Sequence, residues 1–526
     1  MLPAIWHRYI FLFGIIGLAC GMLFGTVPTS IPQIILAANW LLEKNFSEKI
    51  YRLKTNKIFL TIITLYLLHI IGMLYTENTQ QGLNDLRNKL PLLSLPIILF
   101  STQPLTSKEF KLLFNFFFLS VLVSTVCCYF VYAGYTKKII IDVRNASVFM
   151  SHIRFSLFIA FTIIALAYYF MKENKLILKL LYIITSCWLL YFMYKLEMAT
   201  GFLCLLITTG ILVSSLGLKR LNKTIALGLG IVLVVSFGLV INRGVSGLKM
   251  FEPLPASASN QILEKNINGR GFYHDTRSKV AENGNLIFIN INSFELEKEW
   301  NERSAIKFNE LDRKGNEVKF TALRFLASKG LTKDSLGIAS LSQTEITAIE
   351  NGNTNYKYNI NSGLISKWRG LVWEYAKYKR GENPSGHTLT MRLEFWKNAT
   401  YIIYMNPVFG VGTGDIQDAF NAMYDQTKSK LDPVWRLRCH NQYLAITVAF
   451  GMLGLLLFLF YLFYPAIILR KKLHYLYWPF LIIALLSFVT EDTLETQAGV
   501  TFFIFFQVLF LWLASFQTNT DLRNQD

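Results

Sequence analysis

The sequence predicts a polytopic α-helical membrane protein, with about twelve transmembrane helices and one large extracytoplasmic loop domain of mixed α/β character. Three observations carry that prediction. First, 53% of the 526 residues are hydrophobic, only 16% are charged, and the mean hydropathy is +0.37, outside the usual soluble range. Second, apolar runs long enough to cross a bilayer recur along the chain. Third, lysines and arginines sort into alternate loops between those runs, as the positive-inside rule requires. Much of the +18 net charge lies in these short loops, so it orients the chain in lipid and is not the footprint of a nucleic-acid partner.

The predicted spans fall near 9–25, 28–43, 57–75, 89–102, 110–134, 152–171, 177–194, 198–217, 223–241, 442–469, 475–490 and 498–516. Arg8 followed by an apolar run resembles a signal peptide, but a second apolar segment follows at once and an uncleaved first span is expected. The second span opens with Pro28 and Pro32; the fourth is short, carries Pro91 and Pro96, and reads as kinked or re-entrant. Basic clusters follow the second span (Lys44 to Lys57), the sixth (Lys172, Lys175, Lys179), the eighth (Lys219, Arg220, Lys223) and the tenth (Arg470 to Lys472). With these on the cytoplasmic side both termini are cytoplasmic, and 242–441 together with the acidic turn Glu491, Asp492, Glu495 lies outside. Five of six cysteines sit in apolar runs, leaving Cys439, so neither a disulfide framework nor a CxxC metal site is expected.

Three domains follow: an N-terminal bundle of about nine helices at 1–241, the large loop at 242–441, and about three C-terminal helices at 442–526. Within the loop, about 250–390 is predicted as a small α/β insertion. Asn285 to Asn292 reads as a strand, Phe294–Arg303 and Phe320–Ser328 as amphipathic helices, and Ser342-x-x-Glu345 as a capping box. Lys367 to Lys379 reads as a helix suited to a membrane surface.

Candidate chemistry concentrates at 392–441. Arg392 and Trp396 stand four apart on one helix face. They read either as a snorkelling arginine with an aromatic-belt tryptophan or as a guanidinium fork for a phosphate. Gly410-x-Gly412-x-Gly414 lacks the dinucleotide spacing. It is a plain turn into a helix, or a turn that aims helix N-terminal amides at an anion. His440 stands where the chain re-enters the membrane, as an interfacial hydrogen-bonding residue or a proton acceptor at neutral pH. Arg436 and Arg438 raise the local positive field or anchor the loop to headgroups. His152 and Arg154 open the sixth span, and Lys195 sits in the turn after the seventh; edge charges of this kind are functional or serve as anchors. No D-x-D pair and no His/Asp cluster with metal spacing is visible outside, so no metal is expected.

Taken in order, Arg392-x-x-x-Trp396, Asn406-Pro407, Gly410-x-Gly412-x-Gly414 and His440-Asn441-x-Tyr443-Leu444 resemble the bacterial O-antigen ligase and polymerase superfamily. His152-Ile153-Arg154-Phe155 and the long 242–391 insertion look like the ligase-like branch of Bacteroidetes. The resemblance implies an inverting, metal-independent glycosyltransferase of the inner membrane with its large loop in the periplasm and no cofactor. It would move a glycan from undecaprenyl pyrophosphate to a hydroxyl acceptor, commonly the lipid A core. It gives His440 and Arg392 the catalytic roles of acceptor activation and pyrophosphate binding. Arg154, Lys195, His152, Gly412, Gly414, Trp396, Asn441 and Arg438 form the expected substrate-binding set. Where the family often carries a Ser-Arg pair near a middle span, this chain reads Ala199-Thr200-Gly201, and Arg154 or Lys195 is the candidate substitute. Repeat-unit polymerase and protein O-oligosaccharyltransferase share scaffold and donor. A glycolipid or solute transporter is the reading from a different class, although the chain shows no pair of related halves.

Overall fold

The computed structural model describes residues 3–136, 143–220, 261–278, 280–356 and 364–523. The predicted ninth span, 223–241, lies outside the described residues. Two compact units emerge. One comprises 1–138, 146–222 and 391–526; the other comprises 139–145 and 223–390.

The first unit is a helical bundle: α1 (Ala4–Gly21), α2 (Thr26–Leu42), α3 (Phe46–Thr55), α4 (Lys57–Gly72), α5 (Thr79–Lys89), α6 (Pro91–Ser101), α7 (Ser107–Tyr132), α8 (His152–Lys172), α9 (Leu176–Lys195) and α10 (Ala199–Arg220). Among the described residues seven helices are long and apolar enough to cross a membrane. Ala199–Ser215 and Tyr477–Thr490 are apolar but shorter. Seven of the twelve predicted spans meet that measure among the described residues. At 1.5 Å per residue the eleven-residue α6 is about 16 Å long, half a hydrocarbon core. It is apolar because it is enclosed: Leu92, Leu95, Leu99 and Phe100 are all nearly inaccessible.

The second unit, among its described residues, holds α11 (Ser293–Arg303), α12 (Val318–Lys329), α13 (Ser335–Ala339), α14 (Gln343–Glu350) and α15 (Leu364–Lys379). The first four surround a core that includes Trp300, Phe325, Leu326, Ile338, Ile346 and Ile349. Both hydrogen bonds of the Ser342–Glu345 capping box are formed. The described residues are mainly helical, and the expected strand is largely absent. Asn285–Leu286 pairs antiparallel to Ala281–Glu282, and Ile291 makes single bridges to Tyr273 and Lys333. Ile287, Ile289 and Ile291 are buried as the alternation requires, but Asn290 takes a left-handed φ of 55°, which ends the extended run. The period is real, but its partners are a two-residue strand and single bridges, too short to extend the ladder.

The first unit closes with α16 (Thr388–Met405), α17 (Ile416–Gln426), α18 (Gln442–Ile468), α19 (Tyr477–Thr490) and α20 (Gln497–Arg523). The motif stretch 392–441 thus clusters with the membrane helices. Central to this unit is α20: 89% of its apolar window is buried, the mark of a helix hydrophobic on all sides. Phe506 contacts the rings of Phe114, Phe117, Phe161 and Phe480.

The predicted tenth span is two helices, not one. Within α18, Gly451 adopts φ 64° and ψ −164°, a conformation a side chain would strain. The break strands backbone groups, and the turn after α16 takes them up. Val411 and Gly412 donate to the carbonyls of Val448 and Ala449 at 3.0 and 2.9 Å, and Met452 donates to Pro407 at 2.8 Å. Irregular backbone at membrane depth survives only with such internal partners.

Candidate active site

Two short segments meet at one end of the bundle: 438–442, entering α18, and 489–495, joining α19 to α20. Asn441 caps α18 by accepting from the Leu444 amide at 3.0 Å, and its Nδ2 donates to the Val489 carbonyl at 3.0 Å. Gln442 accepts from the Leu494 amide at 2.7 Å. Between them His440 sits at φ 45°, a left-handed setting in which histidine is among the commoner non-glycine residues. That turn brings His440 Nδ1 within 3.2 Å of Asp492 Oδ1. Asp492 is nearly buried, while a third of the His440 side chain remains exposed, and the ring rests near Phe395 of α16. With Nδ1 protonated toward the carboxylate, Nε2 carries the lone pair; the tautomer follows from this hydrogen bond. The bond to Asp492 raises the imidazole pKa above its ordinary 6.5, against the opposing effects of burial and Arg392.

Helix α16 supplies the other wall. Arg392 donates from Nε to the Thr490 carbonyl at 3.3 Å and from Nη2 to Glu491 at 2.8 Å. Trp396, one turn on, donates to the Cys439 carbonyl at 2.9 Å. The shared face read from spacing is real, and it grips both meeting segments. Burial pushes the Glu491 carboxyl up despite the pull of Arg392 and His440.

Behind His440 lies a buried set of alternating charge. Lys89, almost wholly inaccessible, reaches Glu495 at 2.8 Å and Asp85 at 3.6 Å; Arg438 reaches the same two at 3.3 and 3.6 Å. Burial raises the Glu495 carboxyl, but Lys89 and Arg438 more than offset it and hold it at about 2. Buried charges persist only when paired this way. Arg438, expected as a substrate ligand, is engaged in this set.

Arg154 differs from the other cations. It lies in the first turn of α8, close enough to favour the ionised form of Glu491. Its Nε is buried without a hydrogen-bond partner, and the guanidinium has no ion pair among the described residues. His152 stands at the start of the same helix. Lys195 ends α9 with its ammonium over the Tyr191 ring at 5.6 Å, and no contact with Glu491 or His440 is formed. Gly201 packs on Ser156, where an added Cβ would come within 2.6 Å.

Gly412 and Gly414 sit elsewhere in this unit. An added Cβ at Gly412 would lie 2.7 Å from Thr76 Oγ1, and one at Gly414 2.2 Å from the Asn78 carbonyl. Asp415, just before α17, accepts from the Glu77 and Asn78 amides at 2.9 and 2.7 Å. Close backbone packing onto the α4–α5 connection accounts for both glycines.

Sequence reasoning used Glu491, Asp492 and Glu495 for topology and missed them as site residues. The available signal was three acids in five residues at the mouth of an apolar bundle, where unpaired charge is costly. It also saw no metal-spaced cluster, and here the structure corrects it. Donor atoms of His440, Glu491 and Asp492 converge within 4.8 Å, from positions about fifty residues apart. The set fits a divalent cation poorly, since Glu491 already bonds the Arg392 guanidinium.

A family model described as O-antigen ligase matches residues 340–459, a span that takes in Arg392, Trp396, the glycine turn, His440 and the first half of α18 and stops short of Glu491 and Asp492. No curated protein matches the chain. Residues 340–459 are thus similar to an O-antigen ligase domain, in a chain whose described residues include seven helices long and apolar enough to cross a membrane.

Proposed function

We propose that the protein is a metal-independent, inverting glycosyltransferase of the ligase type. It takes a glycan from undecaprenyl pyrophosphate and gives it to a hydroxyl acceptor, the lipid A core, at the periplasmic face of the inner membrane. One observation carries the reading: Arg154, a guanidinium with no hydrogen bond or ion pair among the described residues, stands in the charge field of Glu491, which also acts on His440, a histidine held by the Asp492 carboxylate. An anion site and a proton acceptor are the two things this reaction needs.

The acceptor hydroxyl gives its proton to His440 Nε2 as its oxygen bonds to the anomeric carbon from the face opposite the leaving group. The bond from that carbon to the pyrophosphate oxygen breaks, and the electron pair leaves with undecaprenyl pyrophosphate. Asp492 holds the imidazole in the accepting tautomer and stabilises the imidazolium. Arg154 meets the charge that develops on the leaving group. Arg392, bonded to Glu491 and to the Thr490 carbonyl, fixes the height of α16 against the 489–495 segment.

The test uses purified protein and a lipid-linked pyrophosphate donor. Arg154→Lys keeps the charge but loses the planar fork, so donor affinity falls about tenfold while the folded yield is unchanged. Unchanged donor affinity in Arg154→Ala would remove the anion site from the proposal. Turnover persists in excess EDTA; loss of turnover restored by Mg²⁺ would instead give His440, Glu491 and Asp492 a metal role.

A further inference from the structure

Consecutive residues of the segment joining α19 to α20 serve different partners. Glu491 bonds Arg392, and Asp492 bonds His440. Thr493 bonds neither. Its side chain is buried, with 3% of the residue exposed, and its Oγ1 has no hydrogen-bond partner among the described residues. The backbone around it is held firmly. A single 3₁₀ turn, Thr493–Glu495, follows Asp492, and the Leu494 amide within it donates to Gln442 at 2.7 Å. Gly499, in the first turn of α20, lies so close that an added Cβ would come within 2.0 Å of the Thr493 carbonyl oxygen.

A small cavity lies between this turn, the start of α20 and the beginning of α8. Leu157, Phe158 and Phe502 give it apolar walls, and the rings of Phe158 and Phe502, 4.1 Å apart by centroid, join the two helices there. Arg154 and Thr493 also line it. The space open to the centre of a water-sized sphere is about 10 Å³, room for about one water and too little for a phosphate.

Two polar atoms at this cavity are buried and unmet: the N–H at Arg154 Nε, and Thr493 Oγ1. A buried donor left unmet is costly, and one water that bridges two such groups removes the cost. The chemistry matches, since the guanidinium only donates whereas a hydroxyl also accepts. We propose that Thr493 is a positioning residue for Arg154: one water in this cavity accepts from Arg154 Nε and donates to Thr493 Oγ1. Engaging Nε fixes the plane of the guanidinium and leaves its two Nη groups for the pyrophosphate of the donor. The inference rests on the reading of Arg154 as the leaving-group ligand. Adjacent residues then set the two halves of the site, Asp492 the base and Thr493 the anion ligand.

The test uses the full-length purified protein and a lipid-linked pyrophosphate donor. Thr493→Val lowers donor affinity about tenfold, the effect of one hydrogen bond to a charged group. Thr493→Ser, which keeps the hydroxyl, stays within about twofold of the wild type. Arg154→Lys lacks the Nε–H of a guanidinium, so in that background Thr493→Val costs nothing further. The acid limb of the rate profile, governed by His440 and Asp492, keeps its wild-type midpoint in Thr493→Val. Thr493→Ala, which only removes atoms, gives the same pattern and replaces Thr493→Val where the latter lowers the folded yield. An undiminished cost in the Arg154→Lys background, or a moved acid limb, shows a general distortion of the segment and overturns the proposal. Wild-type donor affinity in Arg154→Ala sinks the reading and the proposal together. A loss in Arg154→Ala with none in either Thr493 variant sinks the proposal alone.

Discussion

The glycine turn at 407–414 and the histidine segment at 438–442 both come from the motif-bearing stretch, yet they use their residues in opposite ways. In the turn, the side chains that matter are the missing ones. Gly410 lies against the Ala449–Phe450 peptide, where an added Cβ would approach within 2.4 Å, and Gly451 lies against Val408 within 2.2 Å. In the histidine segment backbone contacts are few and side chains do the joining: Arg438 to Glu495, His440 to Asp492, Asn441 to Val489 and Gln442 to Leu494. One region fixes a broken helix; the other poises charge. Neighbouring motifs in one stretch of chain need not share a role.

Mutations that separate assembly from chemistry test this contrast most directly. His440→Ala lowers the transfer rate by about 10² to 10⁴, and His440→Gln is nearly as poor because an amide cannot take the proton. The amount of folded protein, read by size-exclusion chromatography of a fluorescent fusion, is unchanged in both. Transfer at the wild-type rate by His440→Ala at matched protein level would return this residue to a structural role. Gly410→Val does the reverse. A left-handed φ and a blocked peptide contact together cost about 2–5 kcal/mol, so the monodisperse peak shrinks while the surviving protein keeps its rate per molecule. A normal peak with lost activity would give the turn a place in substrate binding after all.

The smallest expected effect is a shift in pH dependence. The imidazole pKa is raised, so wild-type transfer falls as pH drops through a midpoint above 6.5. The stability of the His440–Asp492 pair runs the other way: a raised folded pKa stabilises fully below the unfolded value and is lost as pH rises through the folded one. Asp492→Asn removes the partner charge, moves the acid limb of the rate profile down by about one pH unit, and flattens the stability slope over the same window. An unmoved acid limb would show that another group controls the rate.

These contrasts also explain what the sequence made legible. Long apolar runs and their basic loops gave the bundle, because lipid permits few alternatives. The same criterion cannot separate a short helix such as α6 from a full span, since burial inside a bundle and burial in lipid require the same side chains. Residue spacing placed Arg392 and Trp396 on one face, and residue type marked His440. Asp492 and Glu491 escaped because their roles depend on a tertiary meeting of segments about fifty residues apart. Arg154 was noticed in sequence, but its lack of a hydrogen-bond or ion-pair partner among the described residues is a property of packing alone. The glycine spacing invited an anion reading, and only coordinates show a peptide plane filling the space in front of Gly410.

The break in α18 also has a consequence for how the chain enters the membrane. Residues 407–412 are synthesised before 448–453, so the receiving backbone is already made when the broken helix leaves the ribosome. Until the two dock, a broken α18 would leave open the carbonyls of Val448 and Ala449 and the amide of Met452, each costing several kcal/mol in hydrocarbon. A solitary α18 avoids that cost by running straight through Gly451. The break therefore forms only as the turn made about forty residues earlier docks against it, so that breaking this helix and packing it are one event.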